Sequence, residues 1–221
     1  MWCIPKLNDE FRERMEDLLD LYAEPYDPQR PVICLDEKSK QLLGDSRPSL
    51  PAGPGKTAVQ DYEYVRKGTR NIFVAVEPKG GKRVTEVTGR RTKGDYALFV
   101  ERVLETYPDA EVVRLVQDNL NTHGIHSLVE TFGVRKAKRL WKRVETHPTP
   151  KHASWLNMAE IEIGILGKQC LGRRIASAKE LSREVQAYTD RRNEERGAIT
   201  WRFSRERARE VFPALYPVRT L

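Results

Sequence analysis

Two short runs that read as strands, residues 32–35 and 111–117, each end against an aspartate, Asp36 and Asp118, and helical sequence lies between them. A carboxylate closing a buried strand is costly unless a cation or a hydrogen-bond donor compensates it. Strand, helix and a second strand parallel to the first make an α/β crossover, and in such sheets ligands gather beyond the carboxyl ends of the strands. Asp36 and Asp118 can therefore converge although they are far apart in the chain. Two ordinary strand-end acids are the competing explanation, and spacing alone does not separate the two.

The rest of the pattern supplies a frame around this pair. Phe11, Met15, Leu18, Leu19 and Tyr22 recur at helical spacing, which predicts an amphipathic helix over 9–23. Pro25, Pro28 and Pro31 then lead into the first strand, with Asp36 near its end. Residues 44–61 form a long Pro/Gly-rich arm, a length that is usually functional or disordered. Runs at 71–77 and 83–88, joined through Pro78-Lys79-Gly80-Gly81, read as a hairpin that with the first strand makes a three-stranded meander. Thr92 and Asp95 form a capping-box start for a helix carrying Tyr96, Phe99, Val100, Val103 and Tyr107. Ala137, Leu140, Trp141 and Val144 mark one face of a basic helix over 134–144; a strand at 145–149 and a helix capped by Ser177 and Glu180 follow. The fold class is α/β, a mixed five-stranded sheet flanked by helices.

A net charge of +7 points to an anionic partner, nucleic acid first. Met1-Trp2-Cys3-Ile4-Pro5 runs directly into charged sequence with no signal pattern and no apolar span follows, so a cytoplasmic protein without membrane contact is expected. Cys3, Cys34 and Cys170 are scattered and form no CxxC pair, which favours reduced structural thiols. His123 and His126 sit three apart but lack soft partners for zinc, so polar surface or local hydrogen bonding is the expectation. Gly55-Lys56-Thr57 resembles the end of a phosphate-binding loop, yet Leu50 stands where that loop needs glycine, and Pro51 and Pro54 remove amides.

The third acid is harder to place. Around Glu160 the alternation of Ile161, Ile163 and Ile165 with Glu162 and Gly164 mimics a strand, while length and a cap at Ser154 argue for a helix. In a helix Glu160 and Glu162 point about 200° apart, so one of them at most faces the aspartates. Asn157, one turn earlier, shares the face of Glu160 and can orient it. Spacing does not choose between the glutamates.

Motif likeness does choose. Trp155-Leu156-Asn157-Met158-Ala159-Glu160 resembles the Leu-Asn-x-x-Glu signature of mariner-superfamily DDE transposases. Gln117-Asp118-Asn119-Leu120-Asn121-Thr122-His123 is similar to their second-aspartate motif, and Asp36-Glu37-Lys38 to the first. The likeness continues through Tyr62-Glu63-Tyr64, Asn71-Ile72-Phe73 and Trp201-Arg202-Phe203 and points to the bacterial insertion-sequence-630 group. It implies a ribonuclease-H-like fold over 31–200, with a helix and linker before it (1–30) and a tail after it (201–221). It also implies Asp36, Asp118 and Glu160 as catalytic metal ligands, with Asn119 and Asn157 orienting them, and gives Glu162 no catalytic role. The stretch between Asp118 and Glu160 is longer than is common in the superfamily, an expansion that some members of the bacterial group share.

An all-carboxylate site suits two hard cations, Mg²⁺ or Mn²⁺ in its place, for in-line cleavage and strand transfer of DNA. Double-stranded DNA, as transposon ends and target, is the implied partner, and the nucleoid the implied location. Lys38, Arg66, Arg91, Arg139, Lys142, Lys151 and His152 are candidate phosphate contacts, and Trp155 a stacking platform for an unpaired base, against the plainer alternatives of surface charge and packing. The arm over 44–61 can contact DNA or a second copy in a homodimer. Complete transposases of this kind carry helix-turn-helix domains ahead of the core; only residues 1–35 precede Asp36, so the chain reads as a catalytic core without one. A structure-specific nuclease with the same carboxylates and a non-catalytic DNA-binding remnant are the alternatives.

Overall fold

The computed structural model describes residues 7–48, 51–59 and 61–216. Cys3 and Leu50, which entered the thiol and phosphate-loop readings, lie outside them. Helix α1 (Asp9–Ala23) precedes β1 (Val32–Asp45), β2 (Tyr64–Glu77) and β3 (Lys82–Thr88). Then come α2 (Lys93–Thr106), β4 (Val113–Gln117), α3 (Ile125–Trp141), β5 (Val144–Pro148), α4 (Ala159–Gln169), α5 (Ala178–Glu195) and α6 (Arg205–Val211). The strands form one mixed sheet in the order β3-β2-β1-β4-β5, antiparallel across the first three and parallel from β1 to β5.

Strand alternation sorts the core into two faces. Ile33, Leu35, Phe73 and Leu115 point to α2 and α3, where Phe99, Val100, Val103 and Leu128 meet them. Cys34, Val76 and Val116 point the other way, against Met15 and Leu18 of α1, Ala159 of α4 and Ala208 of α6. Beside that second cluster, Ile72 and Val74 meet Ile163 and Leu166 of α4 and Leu181, Val185 and Tyr188 of α5. Trp201, Phe203 and Phe212 join the α1 cluster, so the described part of the tail packs on the same core as the N-terminal helix.

Three local expectations need correction. The first strand does not stop at Leu35: β1 runs to Asp45, and Asp36 sits within it. Its second half is polar except for Leu42, which enters the core beside Ile72 and Leu181, and Leu43, and it is held by antiparallel pairing with an equally long β2, from Cys34↔Val76 out to Asp45↔Tyr64. The basic helix starts at 134 but ends at Trp141 rather than 144. Gly133 (φ 77°, ψ 162°), in a non-helical conformation that glycine adopts without a Cβ clash, separates it from a preceding helical segment that opens at Ile125, the two together making up α3. Ser154 does not cap the helix that carries Glu160. It opens a single 3-10 turn over Ser154–Leu156, and α4 starts only at Ala159. Elsewhere local chemistry holds: Thr92 and Asp95 form a reciprocal capping box, while at α5 Ser177 caps Glu180 N–H and the Glu180 carboxylate takes Ala176 N–H instead.

Candidate active site

Register brings the two aspartates together. Cys34 of β1 pairs with Val116 of the parallel β4, so Asp36 stands level with Asp118, just past the end of β4. The β1–β4 ladder ends at Cys34↔Val116, while the β1–β2 ladder continues, so Asp36 has a strand neighbour on one side and an opening on the other. Asp36 shares the sheet face of Cys34, and α4 packs on that face.

Asn157 ties the third acid to the same place. Its side chain is buried, donates from Nδ2 to Leu35 O at 2.8 Å, and accepts from Ala159 N–H at 3.1 Å through Oδ1. One amide thus joins the first turn of α4 to the residue before Asp36, and Glu160 lies exposed in that turn. Asn157 orients the helix rather than the carboxylate of Glu160 itself. Glu162 points away into the core, where its carboxylate meets Arg83 at 3.0 Å, Tyr188 at 2.5 Å and Arg192 at 3.3 Å. Burial opposes ionisation there, but the hydrogen bonds from Tyr188, Arg192 and Arg83 together hold its pKa below the usual range.

Burial, offset in part by the Glu37 N–H, and the neighbouring charges of Glu160, Glu37 and Asp118 push Asp36 up to about 7. Asp36 therefore lies within electrostatic reach of both Asp118 and Glu160. Among the described residues no three acidic, histidine or cysteine side chains are drawn in closely enough to cage an ion, so the arrangement is an open carboxylate face. Its donor chemistry still fits hard divalent cations, because every candidate ligand is a carboxylate oxygen and a 2+ charge relieves the repulsion that raises Asp36.

His123 and Glu37 fall inside the quoted motifs, but motif reading gave them no role at the site. His123 donates from Nε2 to Glu37 Oε1 at 2.9 Å, and its Nδ1 forms an ion pair with Asp118 Oδ1 at 2.5 Å while lying 3.4 Å from the Asp118 main-chain oxygen. Burial would lower its pKa, but these two carboxylates raise it to about 9. A signal was present: Glu37 falls on the parity of Ile33 and Leu35, and a charge at a core-facing position requires a partner.

The candidate phosphate contacts divide by position. Lys38 shares the face of Asp36, about 7 Å along the strand. Lys151 and His152 line a cleft of about 640 Å³ with Asp118, Asn119, Arg14 and Asn8. His152 is held at φ 62°, a conformation uncommon for a residue with a side chain. Arg91 lies in the β3–α2 turn. Arg66 pairs with Leu43 far out on the β1–β2 ribbon. Arg139 and Lys142 lie near the start of β5, which pairs with the start of β4, at the opposite end of that strand from Asp118. Trp155 packs edge-on against Phe203, centroids 5.3 Å apart, and along Phe212 at 6.2 Å, while remaining 42% exposed.

This sheet order, with helices on both faces, defines a ribonuclease-H-like domain. The family model described as DDE superfamily endonuclease matches residues 31–182, and the chain belongs to that family. Among solved structures, the Mos1 mariner paired-end complex with Mn is similar at a TM-score of 0.58 and 15% identity, over 100% of this chain and 67% of that one. The paired-end complex with Mg gives 0.57 and 15%, over 98% and 66%. The Mos1 paired-end complex with the left transposon end gives 0.56 and 15%, over 89% and 62%, so the chain spans less than two thirds of that protein. At such identity the likeness concerns the fold. No curated protein matches the chain.

Proposed function

We propose that the chain is the catalytic core of a DDE transposase of the bacterial insertion-sequence-630 group, cutting and joining double-stranded DNA by in-line phosphoryl transfer. The observation that carries this reading is the convergence at an opening of the sheet: strand register sets Asp36 level with Asp118, and Asn157 ties the turn bearing Glu160 to the residue before Asp36. Asp36, Asp118 and Glu160 are the groups that would hold Mg²⁺, or Mn²⁺ in its place. When bound, two such ions activate the attacking oxygen and neutralise charge on the leaving oxygen. Asn157 keeps α4, and with it Glu160, against β1. Lys38, Lys151 and His152, with Arg91 at the nearby turn, are the phosphate contacts that position DNA beside the carboxylates. Asn119, in the same cleft as Asp118, is the second orienting residue for the carboxylates. Water as nucleophile cuts DNA, and a DNA 3′-hydroxyl joins it. Transposon ends and target DNA are the partners, a homodimer the assembly, and the cytoplasmic nucleoid the place of action. Mos1 structures in complex with transposon ends and with Mg or Mn support the partner and the cation.

The test is cleavage and strand transfer in Mg²⁺ or Mn²⁺, using a duplex with a free 3′-hydroxyl and a supercoiled target. Asp36→Asn, Asp118→Asn and Glu160→Gln should each abolish both reactions while circular dichroism stays unchanged. A fully active Asp118→Asn protein refutes the assignment. Carboxylate-dependent cutting with no joining identifies a nuclease without strand transfer, the reading favoured by the endonuclease description of the family.

A further inference from the structure

His123 lies in the segment 118–124 that links β4 to α3, and its side chain is 1% exposed. Its ring stacks on Tyr96, with centroids 4.7 Å and planes 24° apart. Tyr96 in turn donates to Gln117 Oε1 at 2.8 Å, on the residue before Asp118. One ring face is covered and both ring nitrogens are bonded, so the imidazole has a single orientation. Its two carboxylate partners differ in setting. The Glu37 side chain is 7% exposed on the sheet face opposite Asp36, whereas that of Asp118 is 40% exposed and lines the cleft. The buried acid holds the ring, and the ring holds the exposed acid.

We propose that His123, fixed by Glu37, is a positioning residue for Asp118: it engages Oδ1 and leaves Oδ2 for a divalent cation. This rests on the reading that Asp36, Asp118 and Glu160 hold such cations. Ligand carboxylates are commonly oriented by outer hydrogen bonds, and losing one typically costs about tenfold to a hundredfold in metal affinity or activity. A purely structural histidine, tying β1 to the 118–124 segment through Glu37, depends on the other ring nitrogen. Asparagine at position 123 places a donor near the site of Nδ1, and glutamine places one near Nε2.

The experiment measures Mn²⁺ affinity, from the electron paramagnetic resonance signal of free Mn²⁺, and thermal unfolding for the full chain, Asp36→Asn, His123→Asn and His123→Gln. Expected are binding by the parent chain, its loss in Asp36→Asn, near-parent binding in His123→Asn, and about tenfold or greater weakening in His123→Gln. Parent and Asp36→Asn proteins that bind Mn²⁺ alike, or not at all, sink the underlying cation-site reading. A parent that depends on Asp36, with the two position-123 variants both unaffected or equally weakened, leaves that reading intact and overturns the positioning role. Should those variants unfold, ¹⁵N spectra of the parent imidazole during Mg²⁺ titration decide the matter. A shift at Nδ1 of His123 that exceeds the one at Nε2, and is absent in Asp36→Asn, supports the role; a silent ring while Mg²⁺ binds overturns it.

Discussion

Glu160 and Glu162, two positions apart, have opposite fates, and chemistry at the single residue explains why. Glu160 stays in solvent at the start of α4, where the positive end of the helix favours a carboxylate. Glu162 is fully buried and survives as an anion because Arg83, Arg192 and Tyr188 surround it. Removing one member of a buried pair leaves the other charge uncompensated, so Glu162→Gln should cost about 3–5 kcal/mol in urea unfolding at neutral pH. The pH dependence has a definite sign. The folded pKa of Glu162 lies below the ordinary 4.5, so its stabilisation is present above that value and is lost as pH falls through the folded pKa. The parent chain should therefore show a steeper acid limb than Glu162→Gln, measured as unfolding free energy against pH. The motif reading set Glu162 aside from the chemistry, but its ion pairs were not legible, because Arg83 and Arg192 reach it only through the packing of β3 and α5 against α4.

At the level of elements, the proposed site depends on how α4 is seated against β1. Asn157 supplies two hydrogen bonds at that junction, and α4 has no side-chain cap of its own, since its N-cap position is Met158. Asn157→Ala orphans the Leu35 carbonyl and an N–H of the first turn, which should lower stability by about 2 kcal/mol. Cleavage should fall by more than this destabilisation explains, because Glu160 is no longer held in place. Equal cleavage at saturating cation, with lowered stability, would limit Asn157 to a structural role. The Leu-Asn-x-x-Glu spacing was legible in sequence; that the asparagine bonds to the backbone of β1 rather than to the glutamate was not, because that hydrogen bond joins residues distant in the chain.

For the whole molecule, the placement of charge relative to the carboxylates matters more than its sum. The net charge of +7 predicts DNA affinity that falls with salt, and geometry predicts which cations contribute. Lys151→Glu, in the cleft beside Asp118, should weaken DNA binding and flatten the salt dependence, by about one unit of logarithmic slope for each phosphate that the lysine no longer neutralises. Lys142→Glu, near the start of β5, should change neither; fluorescence anisotropy across a salt series distinguishes them. The β1–β2 ribbon and its arm are a second test at this scale. If they join two copies, removing residues 46–61 should lower the solution mass by light scattering, and an unchanged mass would count against a dimer built there.

By itself the sequence determined the strand–helix–strand frame and the parallel neighbour that brings Asp118 level with Asp36, and motif likeness named Glu160 as the proposed third carboxylate. These follow from local periodicity, turn chemistry and residue order, which act over a few positions. Only the tertiary structure decided that β1 runs on past Asp36, that Glu162 turns into a buried ion cluster, that Arg139 and Lys142 lie away from the carboxylates, and that Glu37 and His123 stand behind Asp118. Each of these depends on groups brought together from distant parts of the chain, where pairing, burial and charge compensation act on partners that no local pattern names.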